Sequence, residues 1–435
     1  MTSASTAPEL APDHRPHEGP APSRAASLRF VNLHYAPDVA STGQHLTDLA
    51  EWLADAGHEV EVWCARGSYD GGELDAPARE VRNGVRVRRF WTPGAGRRTL
   101  AHRVLEYATF LAQALGRAGV DGGPDLTVYL TTPSHLPAVG WLVDRVRDHR
   151  YGIWSMDRHP EFEAAVGVYS EDGALARGLR ALSTSAYRGA EFVVDLGPAM
   201  KRRLTDRGLD GERLTTIPVW NREDEVRPVP RGESSYRDAW GLGDAFAVMY
   251  SGNAGLGHRF DVVLRAARRL EERGERVEFL FVGGGPRREE IEAEADRLGL
   301  RRFQYRDYVP RHRLDESLSV GDVHLLTLRR EAAGLAAPGK LYGIMAAGRP
   351  VVMVGPRASD PGAVIEEHGV GTIVEPDAAD PAVRLAEELL ALRDDDARRR
   401  GLGERARRVF ERRFAREACC RQWEALVGRT LADDG

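Results

Sequence analysis

From Leu28 onward the chain repeats one pattern: a short apolar run, a turn-forming loop, then a longer segment with apolar side chains every three or four positions. Residues 28–33 form such a run, and 44–56 carries Leu46, Leu49, Trp52 and Leu53 at helical spacing. Further strands are expected at 59–64, 85–90, 126–130, 151–154 and 192–196, with helices at 100–115, 136–147 and 175–187. Pro218, Pro228 and Pro230 interrupt the rhythm, so 218–244 reads as a linker. The pattern then restarts, with strands at 247–251, 277–282, 303–305, 323–328, 351–354 and 371–374. Helices are expected at 260–272, 287–298, 311–318, 339–347 and from 382 onward. Strands alternating with helices of this length require parallel crossovers. The expected fold class is therefore α/β, with two Rossmann-like doubly wound parallel-sheet domains. Ligands in such folds bind outside the carboxyl ends of the strands, so the loops that follow strands are where chemistry is sought.

A length of 435 residues suits two domains. The expected division is a tail over 1–27, a first Rossmann-like domain over 28–217, the linker 218–244, a second Rossmann-like domain over 245–412 and a terminal helix over 413–435. That helix is expected to pack back on the first domain. A net charge of −5 supplies no global attraction to nucleic acid, which is not expected as a partner. Cys64, Cys419 and Cys420 are too few and too poorly spaced for a disulfide framework or a metal site. Residues 1–27 are rich in Ala, Pro and Ser without an apolar run, which predicts a disordered tail rather than a signal peptide. No stretch reaches the roughly 18 apolar residues that span a bilayer, and the expected location is cytoplasmic. All but two of the 61 basic residues are arginine. The exceptions, Lys201 and Lys340, stand where a compact ammonium is retained.

Five loops carry candidate chemistry. In the first, Gly43 with Ser41 and Thr42 opens a helix, which suits either an approaching phosphate or plain helix capping. The second, Ser251-Gly252-Asn253-Ala254-Gly255-Leu256-Gly257, is glycine-rich but lacks a Gly-Lys-Ser/Thr ending. No acidic residue stands about 20 positions on at the end of a second strand, since Asp261 is too close and Glu278 begins the next strand, so neither a phosphate loop nor a dinucleotide fingerprint is present. Gly283, Gly284 and Gly285 make a third permissive turn. In the fourth, Pro338-Gly339-Lys340 places a cation at a helix start, which is unfavourable unless an anion sits there. The fifth follows the strand at 151–154 and bunches Asp157, Arg158, His159 and Glu161, a set that can hold sugar hydroxyls, relay protons or simply pair internally. Separately, Arg97, Arg98, His102, Arg103 and Arg117 flank Leu100, Val104, Leu105 and Leu115. Such a helix either rests on a membrane or covers the sheet.

Taken together, these segments resemble the GT-B glycosyltransferases of family 4, most closely the colanic-acid and capsule type. The likeness rests on His34-Tyr35-Ala36-Pro37, Asp157 with Pro160-Glu161, Leu196-Gly197-Pro198-Ala199-Met200, Tyr250-Ser251-Gly252-Asn253, Phe281-Val282-Gly283-Gly284-Gly285 and Pro338-Gly339-Lys340-Leu341-Tyr342-Gly343. It implies transfer of a sugar from a UDP-, GDP- or dTDP-sugar with retention at the anomeric carbon and no obligatory cofactor or metal. By this likeness Lys340 neutralises the donor diphosphate, with Leu341 beside it, and the amides of Gly334 and Leu335 hold the donor sugar. Gly283, Gly284, Tyr308 and Val309 border the nucleoside, Gly43 and Asn253 face phosphate, and Asp157, His159 and Glu161 serve the reacting sugar and acceptor.

Two departures accompany the likeness. The family's paired glutamates correspond to Leu335 and Gly343, and its phosphate-binding arginine to Asn253, for which Arg259, Arg329 or Arg330 are candidate replacements. The expected acceptor is a polysaccharide or lipid-linked sugar, or a small metabolite, with peripheral contact at the inner face of the membrane. A UDP-sugar 2-epimerase of the same fold and a catalytically silent nucleotide-sugar-binding partner are the alternatives.

Overall fold

A computed structural model of the chain describes residues 25–69, 71–93, 100–165, 167, 173–336 and 338–432. The tail expected over 1–27 lies outside the described residues up to residue 24, and Ser27 already belongs to a strand. Arg97 and Arg98 of the basic segment also lie outside them.

The first lobe contains β1 (Ser27–Val31), α1 (Ser41–Asp55), β2 (Glu59–Ala65), β3 (Arg79–Arg82), β4 (Val85–Phe90), α2 (Leu100–Val120), β5 (Leu126–Leu130) and α3 (Pro137–Asp144). It continues with β6 (Tyr151–Trp154), α4 (Glu161–Ala165), α5 (Ala174–Gly189), β7 (Val193–Asp195), α6 (Pro198–Thr205) and β8 (Leu214–Thr216). Its eight strands lie in the order β3-β4-β2-β1-β5-β6-β7-β8. All neighbours are parallel except β3, which pairs antiparallel with β4 through Glu80 opposite Val87. The apolar runs of the central strands are buried on both faces, as a sheet covered by helices requires.

After α7 (Ser235–Ala239), the second lobe begins with β9 (Phe246–Ser251), α8 (Asp261–Glu272), β10 (Val277–Val282), α9 (Arg288–Arg297), β11 (Phe303–Arg306) and α10 (Leu314–Val320). Then follow β12 (Val323–Thr327), α11 (Lys340–Ala346), β13 (Val351–Val354), α12 (Asp360–His368), β14 (Gly371–Val374), α13 (Pro381–Asp394), α14 (Asp396–Arg413) and α15 (Arg416–Ala432). Its order, β11-β10-β9-β12-β13-β14, is fully parallel and doubly wound.

The lobes share apolar packing. Trp220, between them in sequence, stacks on Trp154 at a ring separation of 5.6 Å, and Trp423 of α15 lies 4.8 Å from Trp154. Trp52 of α1 donates to Glu424 of α15 at 3.2 Å. The last helix therefore packs on the first lobe. Among the described residues no helix is long and apolar enough to cross a membrane.

Candidate functional site

In each sheet the strand order reverses between two neighbours, β1 and β5 in the first lobe and β9 and β12 in the second. A crevice opens at such a reversal, because the loops on either side leave in opposite directions. Here the loops of the two lobes meet. Asp157, after β6, forms an isolated antiparallel bridge with Ala336, and the Arg158 N–H donates to the Leu335 carbonyl at 2.8 Å. Arg203 of α6 donates to the Ala333 carbonyl at 2.6 Å. The carboxylate of Asp360, at the start of α12, accepts from the Ala199 and Met200 amides of α6 at 2.7 and 3.3 Å.

On the second lobe's wall, Lys340 is half-buried. Its Nζ donates to the Asn253 carbonyl at 2.9 Å and lies 2.8 Å from His258 Nε2 and 5.0 Å from the centre of the Tyr250 ring. His258 Nδ1 lies 2.6 Å from the Thr327 carbonyl, which can only accept, so Nδ1 carries the proton and Nε2 presents a lone pair to the ammonium. Burial, reinforced by the Lys340 charge, pushes the His258 pKa down to about 3. Burial likewise pulls Lys340 down to about 7. Among the described residues no carboxylate pairs with this ammonium. Gly252 makes room for the lysine stem: its φ is +119°, and a Cβ there would lie 2.8 Å from Lys340 Cε.

On the first lobe's wall, His159 Nδ1 meets Glu163 Oε1 at 2.6 Å, and Ser134 donates to the same oxygen at 3.3 Å. Burial opposes charging of His159, but the Glu163 hydrogen bond with the charges of Glu163, Asp157 and Glu161 leaves its pKa above the usual imidazole value. Burial raises the Asp157 pKa against the opposing pull of His159. Thr131, at the end of β5, fixes this turn by accepting from the Met156 and Asp157 amides at 3.1 and 3.0 Å.

The remaining sequence-chosen residues are placed as follows. Gly43 lies in the first turn of α1, where a Cβ would stand 3.0 Å from the His34 carbonyl carbon, so close packing of helix on loop accounts for its size. Asn253 serves Lys340 through its backbone carbonyl, while its side-chain oxygen lies against Gly285. At Gly283 the φ is +138° and a Cβ would fall 2.3 Å from the Gly252 carbonyl oxygen; its amide is engaged by the Arg306 carbonyl at 2.9 Å. Gly284 underlies the Tyr308 ring, which is 62% exposed. The Val309 side chain packs on a small cluster that includes Met249 and Leu280. Gly334 abuts the Ala199 carbonyl of the first lobe, and the Leu335 amide is taken up in a turn by the Ala332 carbonyl at 3.1 Å.

Three expectations need correction. Glu161 is 8% exposed and lies between Arg158 and Arg207, so its carboxylate balances buried guanidinium charge instead of facing the reaction. Leu341 is 1% exposed and belongs to the core, because the helix turns its side chain away from that of Lys340. Arg259 is paired with Asp261 and Arg330 with Asp377, so neither stands as a free cation in place of the missing arginine. The sequence reading passed over Glu163, although its i+4 spacing from His159 was visible.

Two doubly wound parallel-sheet lobes whose strand-end loops face each other constitute the GT-B arrangement. Residues 42–220 match the family model of the glycosyl transferase 4-like domain, and 234–409 match that of glycosyl transferases group 1. The chain belongs to the GT-B glycosyltransferases that these two domains define. It is 28% identical over 236 residues to WbjE of Pseudomonas aeruginosa, named as a glycosyltransferase, covering 54% of this chain but only 58% of that protein. With WcaI of Escherichia coli, named for colanic acid biosynthesis, it shares 24% identity over 384 residues, 84% of this chain and 92% of that one. The solved structure of Anabaena HepE with UDP-glucose has the same fold, with a TM-score of 0.68 and 16% identity, covering 94% of this chain and all of that one.

Proposed function

We propose that this glycosyltransferase moves a sugar from a nucleotide-sugar donor to an acceptor hydroxyl with retention at the anomeric carbon. The observation that carries this reading is the Lys340 ammonium, held by the Asn253 carbonyl and His258 with no carboxylate to neutralise it among the described residues. In the reaction the bond between the anomeric carbon and the phosphate oxygen breaks, and a bond to the acceptor oxygen forms on the same face. The acceptor's proton leaves with the diphosphate or to solvent. Charge accumulates on the departing diphosphate, and a fixed cation is most effective where charge develops. Asp157 and His159, supported by Glu163, face the transferring sugar and the acceptor. Closure of the lobes excludes water, which limits hydrolysis of the donor.

UDP-glucose bound to HepE supports a sugar nucleotide as donor, and the name of WcaI supports a polysaccharide intermediate as acceptor. Peripheral contact with a membrane carrying a lipid-linked acceptor belongs to the same reading. The Arg103, Val104 and Leu105 stretch of α2 is exposed and available for it.

The test is to screen UDP-, GDP- and dTDP-sugars for turnover with oligosaccharide acceptors and to read the anomeric configuration of donor and product by NMR. An inverted product removes the retaining mechanism. Conversion of donor alone into its 2-epimer would favour the epimerase.

A further inference from the structure

Among the described residues, two that are not glycine stand at positive φ: Asn83 at +47° and His135 at +67°. Asn83 is accounted for by its place. With Gly84 it makes the two-residue turn between β3 and β4, where such a backbone joins antiparallel strands. His135 has no hairpin to serve. It lies in the loop from β5 to α3, at the carboxyl end of a strand that borders the first lobe's reversal. A Cβ at positive φ crowds its own backbone, and such strain persists only where the surroundings dictate it. Here they do. The Thr132 carbonyl accepts from the Leu33 amide at 2.7 Å, that of Pro133 from the Leu136 amide at 3.1 Å, and that of His135 itself from the Ala138 amide at 2.9 Å.

The side chain carries a second cost. His135 as a whole is only partly buried, yet its Nδ1 is enclosed and, among the described residues, has no hydrogen-bond partner. A buried ring nitrogen left unpaired lowers stability. Two such costs at one position beside the cleft mark a residue kept for something other than stability.

Its electrostatic surroundings are those of the site. The adjacent Ser134 donates to Glu163, and the charges of His159, Glu163 and Glu161 act on the His135 ring. Burial, and after it the His159 charge, hold His135 below the usual imidazole value, whereas His159, bound to Glu163, is held above it. Two neighbouring imidazoles are thus pushed apart, one toward the neutral form and one toward the charged form.

A neutral imidazole offers one N–H donor and one lone pair. Phosphate oxygens only accept, and the unneutralised ammonium that suits them stands on the other wall at Lys340. A sugar hydroxyl both gives and takes a hydrogen bond, which matches the neutral ring. The donor's sugar is joined to the diphosphate and so tied to the second lobe. The sugar that the first lobe must hold by its own groups is the acceptor.

We infer that His135 is a specificity-determining residue that holds a hydroxyl of the acceptor sugar, its strained backbone retained because it sets the ring beside the site. This inference rests on the proposed glycosyl transfer. The test is steady-state transfer by the full chain to the oligosaccharide acceptor that wild type glycosylates fastest and to its monodeoxy analogues, with thermal melting of each variant. Wild type is expected to lose about 10-fold or more in kcat/KM with at least one monodeoxy analogue. His135→Gly is expected to raise the acceptor KM about 10-fold, to treat that analogue and the parent alike within about twofold, and to change the donor KM less than about twofold. It is also expected to melt no lower than wild type, because the strain and the unpaired nitrogen are both removed. His135→Asn, equally at ease at positive φ but without the far edge of the ring, gives the same comparison should the glycine variant fold poorly. A lower melting temperature with discrimination intact assigns the ring to packing and overturns the inference, as does a donor KM that rises in place of the acceptor's. Failure of wild type to glycosylate any acceptor overturns the transfer reading and this inference with it.

Discussion

His258 Nε2 lies 2.8 Å from Lys340 Nζ while Nδ1 is committed to the Thr327 carbonyl, so a neutral imidazole holds the cleft's unneutralised ammonium in place. Because burial brings Lys340 down to about 7, its charge titrates within the working range of pH. An anion binds the charged form, and the empty protein loses that form as pH rises through about 7. Affinity for a nucleoside diphosphate is expected to be nearly flat below pH 7 and to fall above it, by up to about tenfold per pH unit. Calorimetry between pH 6 and 9 checks this. Lys340→Arg, which stays charged throughout, should flatten the dependence, and Lys340→Met should lower turnover about 100-fold or more.

Glu163 and Glu161 lie two residues apart, yet their replacement is expected to act mainly on different properties. Glu163→Gln removes the charge that stabilises the His159 imidazolium, so the His159 pKa falls and any limb of the pH–rate profile that it governs moves to lower pH. Glu161→Ala leaves Arg158 and Arg207 without their buried partner and should cost about 3–5 kcal/mol of stability. The limb that His159 governs should move to lower pH by less than in Glu163→Gln, because the Glu161 charge acts on the imidazole more weakly and without a hydrogen bond. Urea unfolding together with pH–rate measurements separates the two.

Across the cleft, Asp360 accepts two amides of α6, and Gly197 lies so close that a Cβ there would come within 2.4 Å of the carboxylate. Asp360→Ala should cost about 1–3 kcal/mol, because two buried amides lose their acceptor. Gly197→Ala should weaken the same junction by displacing it. Denaturant unfolding and the rate of protease cleavage between the lobes are the readouts.

Two glycines of neighbouring turns offer an internal control. Gly283→Ala forces a methyl group to 2.3 Å from the Gly252 carbonyl at a φ of +138°, and it should cost more than 2 kcal/mol, about the upper range of backbone strain alone. At Gly257 the nearest atoms would be 3.6 Å away, an ordinary contact, so Gly257→Ala should melt within a few degrees of wild type.

The sequence patterns that were readable share a physical reason. The strands Val277–Val282, Val351–Val354 and Gly371–Val374 are apolar runs bounded by turn-formers, and their limits agree with the sheet. Arg79–Arg82 carried no such signal: it is a polar edge strand with one antiparallel neighbour, stabilised by pairing rather than burial. The helix at Asp360–His368 was hidden because Pro361 and Gly362 occupy its first turn, where the missing proline N–H costs nothing. At the site, Lys340 stood out through the rarity of lysine. The grip of Asp360 on α6 joins residues about 160 positions apart and has no local signature. Leu341 was misread because adjacency to a functional residue in a helix means pointing elsewhere.

The contact of Trp423 with Trp154 sets a schedule for biosynthesis. Domains that fold as they leave the ribosome normally do so in the order in which they are made. Here the first lobe lacks its closing helix until the whole second lobe and then α15 have been translated, so the lobe made before the other is sealed after it.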